Sequence, residues 1–164
     1  MKKFSKLFAQ LRFLPIVLLL MLSTQSCTEE EDEEVVQVEA RQETSIIPTS
    51  YSGRPVTADG TITVESKSVT FNVWDSGIID GDIITLVVNG RIVLSEYSLL
   101  GTKKSIAVTL DNLGYNYVLL YAHNEGTSPP NTAALSVTDS SGNVKNLVLS
   151  ANLTSNSAYN IVVQ

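Results

Sequence analysis

Apolar and polar positions alternate with a period of two through most of the chain between Val56 and Val163. In Thr70–Trp74, Phe71 and Val73 share one face while Asn72 takes the other. Ile84, Leu86 and Val88 form one stripe, with Ile83, Thr85 and Val87 opposite. The same pattern recurs in Ile106, Val108 and Leu110; in Tyr117, Leu119 and Tyr121 against Val118, Leu120 and Ala122; and in Leu135 with Val137, Leu147 with Leu149, and Tyr159, Ile161 and Val163. Successive side chains of a strand point to opposite faces, so each stripe predicts a strand with one face turned to a core. The frequent Val, Ile, Thr and Tyr agree with that reading.

Turn residues separate these runs. Asp59-Gly60, Asn89-Gly90 and Ser141-Gly142-Asn143 predict hairpins, because Asn and Gly accept the positive backbone angles of tight turns. Asp80-Gly81-Asp82, Leu113-Gly114 and Ser128-Pro129-Pro130-Asn131 mark other loops. Ser95–Leu100 is the one candidate for a short helical stretch. About eight short strands, with turns every eight to twelve residues, predict an all-β fold: a single antiparallel β-sandwich, Ig-like or jelly-roll-like, over residues 51–164. Trp74 is expected to cover one edge of its core.

The first fifty residues have a different pattern. Lys2, Lys3, Lys6 and Arg12 precede an apolar run, Phe13–Leu22, that falls well short of the roughly 20 residues a spanning helix needs. A basic start, a short apolar run and small residues before Cys27 predict a signal peptide over residues 1–26. Cys27 is the only cysteine, which leaves no partner for an internal disulfide. Residues 27–50, rich in Glu, Gln, Thr and Ser, predict a flexible acidic tether.

Ser23-Thr24-Gln25-Ser26-Cys27 resembles the lipobox cut by lipoprotein signal peptidase, with Gln25 where the tightest form has a small residue. The resemblance implies a diacylglycerol on Cys27, and two or more acyl chains hold a protein stably on a membrane. The run Glu29, Glu30, Glu31, Asp32, Glu33 and Glu34 resembles the acidic signal that sends some Gram-negative lipoproteins to the outer face of the outer membrane. The expected location is therefore the outer membrane, lipid-anchored and cell-surface exposed, with a periplasm-facing anchor as the alternative.

Net charge refines the picture. The chain carries -6, and four of its eleven bases precede Cys27. Six of its seventeen acids lie in the run after Cys27, so the acidity belongs to the tether and not to the domain. Without a basic patch to neutralise phosphates, nucleic acid is excluded as an expected partner.

Candidate chemistry lies in two blocks. One is Trp74-Asp75-Ser76-Gly77-Ile78-Ile79-Asp80-Gly81-Asp82; the other includes His123-Asn124-Glu125-Gly126 and Pro129-Pro130-Asn131-Thr132-Ala133-Ala134. Together they resemble a widespread β-sandwich module of secreted and surface bacterial proteins, over about residues 69–164. That resemblance implies fold and location, and no activity. Asp75, Asp80 and Asp82 offer hard oxygen ligands of the kind calcium takes, although the spacing is not that of an EF-hand. The competing reading is a turn whose carboxylates cap backbone amides.

His123, the only histidine, has no nucleophile or orienting partner that the sequence can place, and is expected to make a loop hydrogen bond. Asn124, Glu125 and Asn131 are candidates to pin the proline loop to the preceding strand. There is no Gly-x-Ser-x-Gly elbow or phosphate loop, so no catalytic residues are assigned and the chain is not expected to be an enzyme. Asn152-Leu153-Thr154 matches a glycosylation acceptor, a pattern with little force in a bacterial lipoprotein. The expected function is a non-catalytic module that binds a glycan or another envelope component. The alternative is an accessory subunit that docks to a larger envelope complex. Sugars stack on exposed aromatic faces, which makes Tyr51, Tyr97, Tyr115 and Tyr117 the candidate platform. Tyr115, Tyr117, Asn124 and Glu125 are the candidate ligand-binding set.

Overall fold

The computed structural model describes residues 44–164; Cys27, the acidic run Glu29–Glu34 and the signal segment lie outside the described residues. Those residues form ten strands and no helix: β1 (Ser50–Tyr51), β2 (Arg54–Val64), β3 (Ser68–Trp74), β4 (Ile83–Val88), β5 (Arg91–Ser98), β6 (Lys104–Thr109), β7 (Tyr115–Ala122), β8 (Asn131–Asp139), β9 (Val144–Ala151) and β10 (Asn156–Val163). They build a β-sandwich. One sheet has the order β1-β2-β10-β7-β4-β5 and the other β6-β3-β8-β9. Pairing is antiparallel throughout except between β2 and β10, which run parallel.

The alternating stripes supply the core. Phe71 and Val73, Ile84, Leu86 and Val88, Val118 and Leu120, Leu135 and Val137, Leu147 and Leu149, and Ile161 pack between the sheets. Burying each such side chain contributes about 1.5–3 kcal/mol. β4 and β7 are buried on their outer face too. Val87, Tyr117 and Leu119 join Ala158 in a second apolar cluster, covered by Ile47, Tyr51 and Val56. This explains why these two strands read as nearly continuous apolar runs. The fold also reaches back before the boundary at Tyr51: the Ser45 amide donates to the Tyr115 carbonyl (2.8 Å), and Ile47 lies on the sheet.

Two expectations are corrected. Asp59-Gly60 is not a hairpin but the bulged middle of β2: Ala58 faces Ala158, Gly60 faces Tyr159, and Asp59 is the extra residue between them. Asp59 accepts a hydrogen bond from the Ser157 hydroxyl. A Cβ on Gly60 would lie 2.7 Å from Tyr159 Cε1, so the glycine is there to admit a ring rather than to turn the chain. The turn that starts β2 is Ser52-Gly53, both with positive φ (49° and 79°). Ser95–Leu100 is not helical either. Its first four residues complete β5, where pairing with β4 outweighs local propensity in so short a segment.

Asn89-Gly90 forms the expected β4–β5 turn, with φ of 49° and 82°. Asn89 Nδ2 donates to Asn116 Oδ1 (2.8 Å), which also accepts from the Asn112 amide (3.1 Å). Asn116 Nδ2 donates to the carbonyls of Asn112 (3.0 Å) and Gly114 (3.1 Å), so this wholly buried amide is fully paired. Replacing it with alanine would leave buried polar groups unpartnered at about 1–3 kcal/mol each. Asn116→Ala should therefore lower the urea midpoint by an amount equivalent to about 2–3 kcal/mol with an unchanged slope. A midpoint unmoved in equilibrium unfolding would show that the network does not support the turn.

Candidate metal centre at one end of the sandwich

Two loops cross between the sheets side by side. Residues 75–82 lead from β3 to β4, and residues 123–130 lead from β7 to β8. Because Ile84 pairs with Ala122, both loops spring from the same end of the sandwich. The backbone after β5 clamps the first loop at both ends: the Asp75 amide donates to the Leu100 carbonyl (2.8 Å), and the Leu99 amide donates to the Asp82 carbonyl (2.8 Å). Asn124 ties the loops together, accepting from the Ile83 amide (2.7 Å) and donating to the Gly81 carbonyl (2.8 Å). Asn131 Nδ2 donates to the Asn124 carbonyl (3.4 Å). The pinning role expected of Asn124 and Asn131 is thus seen, while Glu125 accepts instead from the Leu153 amide (3.4 Å).

This frame brings Asp75, Asp80 and Asp82 together, with one oxygen from each within 4.8 Å of the others. Asp80 Oδ2 accepts from the amides of Thr127 (2.8 Å) and Ser128 (2.6 Å), across the gap and not within its own turn. A Cβ at Gly126 would overlap the Asp80 carboxylate, so only glycine permits this approach. Asp75 Oδ1 accepts from the Gly77 amide (2.8 Å), which is the capped turn of the competing reading. Asp82 Oδ2 accepts a long bond from the Thr132 amide (3.4 Å). Asp82 is only 4% exposed, and its Oδ1 is buried with no hydrogen-bond partner.

The electrostatics follow from this crowding. Burial, then the neighbouring Asp80 and Asp75 charges, push the Asp82 carboxyl up to about 6. An unpaired buried carboxylate oxygen beside two other carboxylates is costly, and a cation relieves both the desolvation and the repulsion. All the ligand atoms are hard oxygens, which suits calcium. The cluster lines an open cleft of about 270 Å³, with Ser76, Ile78 and Ser128 on its walls.

The other sequence candidates do not converge. Tyr115 and the pair Asn124 and Glu125 lie at opposite ends of β7, about 25 Å apart for a strand of that length. Tyr117 and Tyr51 belong to the outer apolar cluster, and Tyr97 packs against the main core. His123 hydrogen-bonds the Thr85 hydroxyl (2.8 Å) and meets Tyr121 edge-on, 4.9 Å between ring centroids. The aromatic side chain nearest the carboxylates in sequence is Trp74, with the Lys103 ammonium 4.3 Å from its ring centroid. Sequence reading assigned Trp74 to a core edge; it lies instead with Asn72 on the outer face of β3, where the alternation from Phe71 and Val73 puts it.

The raised Asp82 value has a definite sign. The folded state holds this proton more tightly than the unfolded chain, so the stabilisation is complete below 3.8 and is lost as pH rises through about 6. In chelator, raising the pH from about 4 to about 7 should cost about 2 kcal/mol of stability. Asp82→Asn should flatten the profile, and an equally steep profile in that variant would assign the effect to another group. Compared with protein-family models, curated proteins and solved structures, the chain matches none of them.

Proposed function

We propose that this chain is a lipid-anchored, surface-displayed, non-catalytic module that binds a glycan or another envelope component, with calcium held by Asp75, Asp80 and Asp82. The observation that carries the proposal is the unpartnered Asp82 Oδ1, buried among three convergent carboxylates in an open cleft. A cation there satisfies the orphaned oxygen. Water or ligand oxygens complete a coordination number of about six to eight.

The described chain enters the domain at the opposite end from the aspartates. Ser45 lies beside Tyr115, and the chain then runs along the outer sheet face to Tyr51, whose carbonyl accepts from Asn156 Nδ2 (2.9 Å) at the start of β10. Ser45 therefore lies at the end of the domain remote from the aspartates.

Two measurements test the proposal. Calcium at about 1 mM should raise the melting temperature by several degrees over chelator, as binding to the native state alone requires. Asp82→Asn should abolish that rise, and identical melting curves with and without calcium would refute the metal assignment. Cys27→Ala should move the protein from the membrane to the soluble fraction; full membrane retention would overturn the lipid anchor.

A further inference from the structure

The outer face of the four-stranded sheet forms a groove. Along β8, the outward residues Thr132, Ala134, Ser136 and Thr138 are small, and Ala134 and Ser136 are almost fully covered by their taller neighbours. Trp74 and Val148 flank Ala134 across the strands, while Asn72 and Asn146 flank Ser136. A cleft of about 280 Å³ lies over Ala134, with Trp74, Asn146 and Val148 among its walls. Ser76 lines both this cleft and the carboxylate cleft, so the two adjoin. Thr132, whose amide touches Asp82, lines the carboxylate cleft, and Ala134, two residues on along β8, lines this one.

The chemistry of the groove is specific. Trp74 presents a ring, and sugars place their C–H faces against such rings. Ser136 is buried, and the Asn72 amide is taken up within the sheet, its Nδ2 donating to Ser136 Oγ (3.3 Å) and its Oδ1 accepting from Ser105 Oγ (2.5 Å), which leaves Asn146 as the exposed amide. An exposed amide pairs with sugar hydroxyls. The Lys103 ammonium lies over the Trp74 ring, and the three aspartates lie beyond Ser76 on the other side.

From this we infer that the groove along β8 binds an oligosaccharide bearing carboxylates, of the uronic-acid class. One sugar packs on Trp74, and ligand carboxylates meet Lys103 and the aspartate-held calcium. The inference rests on the calcium reading above, and its test separates the two. The full chain in detergent is titrated with a tetragalacturonate and with a neutral oligosaccharide of equal length, in calcium and in chelator. The acidic probe should bind in calcium and weaken in chelator, and the neutral probe should bind at least tenfold more weakly, about 1.4 kcal/mol.

Trp74→Ala should weaken the acidic probe about tenfold while leaving the calcium-induced rise in melting temperature intact. Lys103→Ala should weaken the acidic probe alone. If calcium raises the melting temperature but the acidic probe does not bind, or binds Trp74→Ala equally well, the groove inference fails and the metal site stands. Equal binding of the two probes overturns the acidic class. Absence of any calcium effect on the melting temperature defeats the metal reading itself, and with it the cation's part in the groove.

Discussion

Burial of β4 and β7 on both faces is the constraint on which the rest of the molecule depends. Ile84, Leu86 and Val88 face the core between the sheets while Val87 faces the outer cluster, and β7 divides in the same way between Leu120 and Leu119. A shift of one residue would exchange the two faces and break both clusters. The pairing of Ile84 with Ala122 is thereby held, and with it the alignment of the two crossing loops. The Leu99–Leu100 backbone then closes the aspartate loop at both ends. The site is a consequence of core packing before it is a consequence of its own residues.

The two ends of the sandwich treat buried aspartate in opposite ways. Asp139, near the end where Ser45 lies, accepts amide hydrogens from Glu65, Ser141 and Asn143, each at 3.0 Å. Those donors, Glu65 first, hold its carboxyl below the ordinary value. Asp82 is equally buried, but it has one long amide bond and two carboxylate neighbours, and its carboxyl is pushed up. One aspartate completes its valences within the fold. The other keeps an oxygen free and faces an open cleft, which is the arrangement expected of a ligand and not of a cap.

Much of this was legible along the chain. The strand stripes, the Asn89-Gly90 turn and the three aspartates follow from period two, from backbone angles and from carboxylate spacing, all of them local properties. The failures are equally physical. Asp59-Gly60 carries the same letters as a turn, but the glycine answers to Tyr159, about a hundred residues away. Ser95–Leu100 became a strand end because β4 lies beside it. Tyr115 and Asn124 stood in one candidate ligand-binding set, but the strand between them places them at opposite ends of the domain.

The sequence by itself determined that the chain after Val56 is built from strands, because alternation and turn chemistry act over a few residues. Only the tertiary structure decided which stripe is core, that the Asp75–Asp82 block meets Gly126–Thr132, and that Asp82 keeps an unpaired oxygen. It also decided that small residues on β8 sink a groove between Trp74 and Val148. These depend on pairing between strands distant in the chain, where the energy lies in shared burial and not in any one residue's preference.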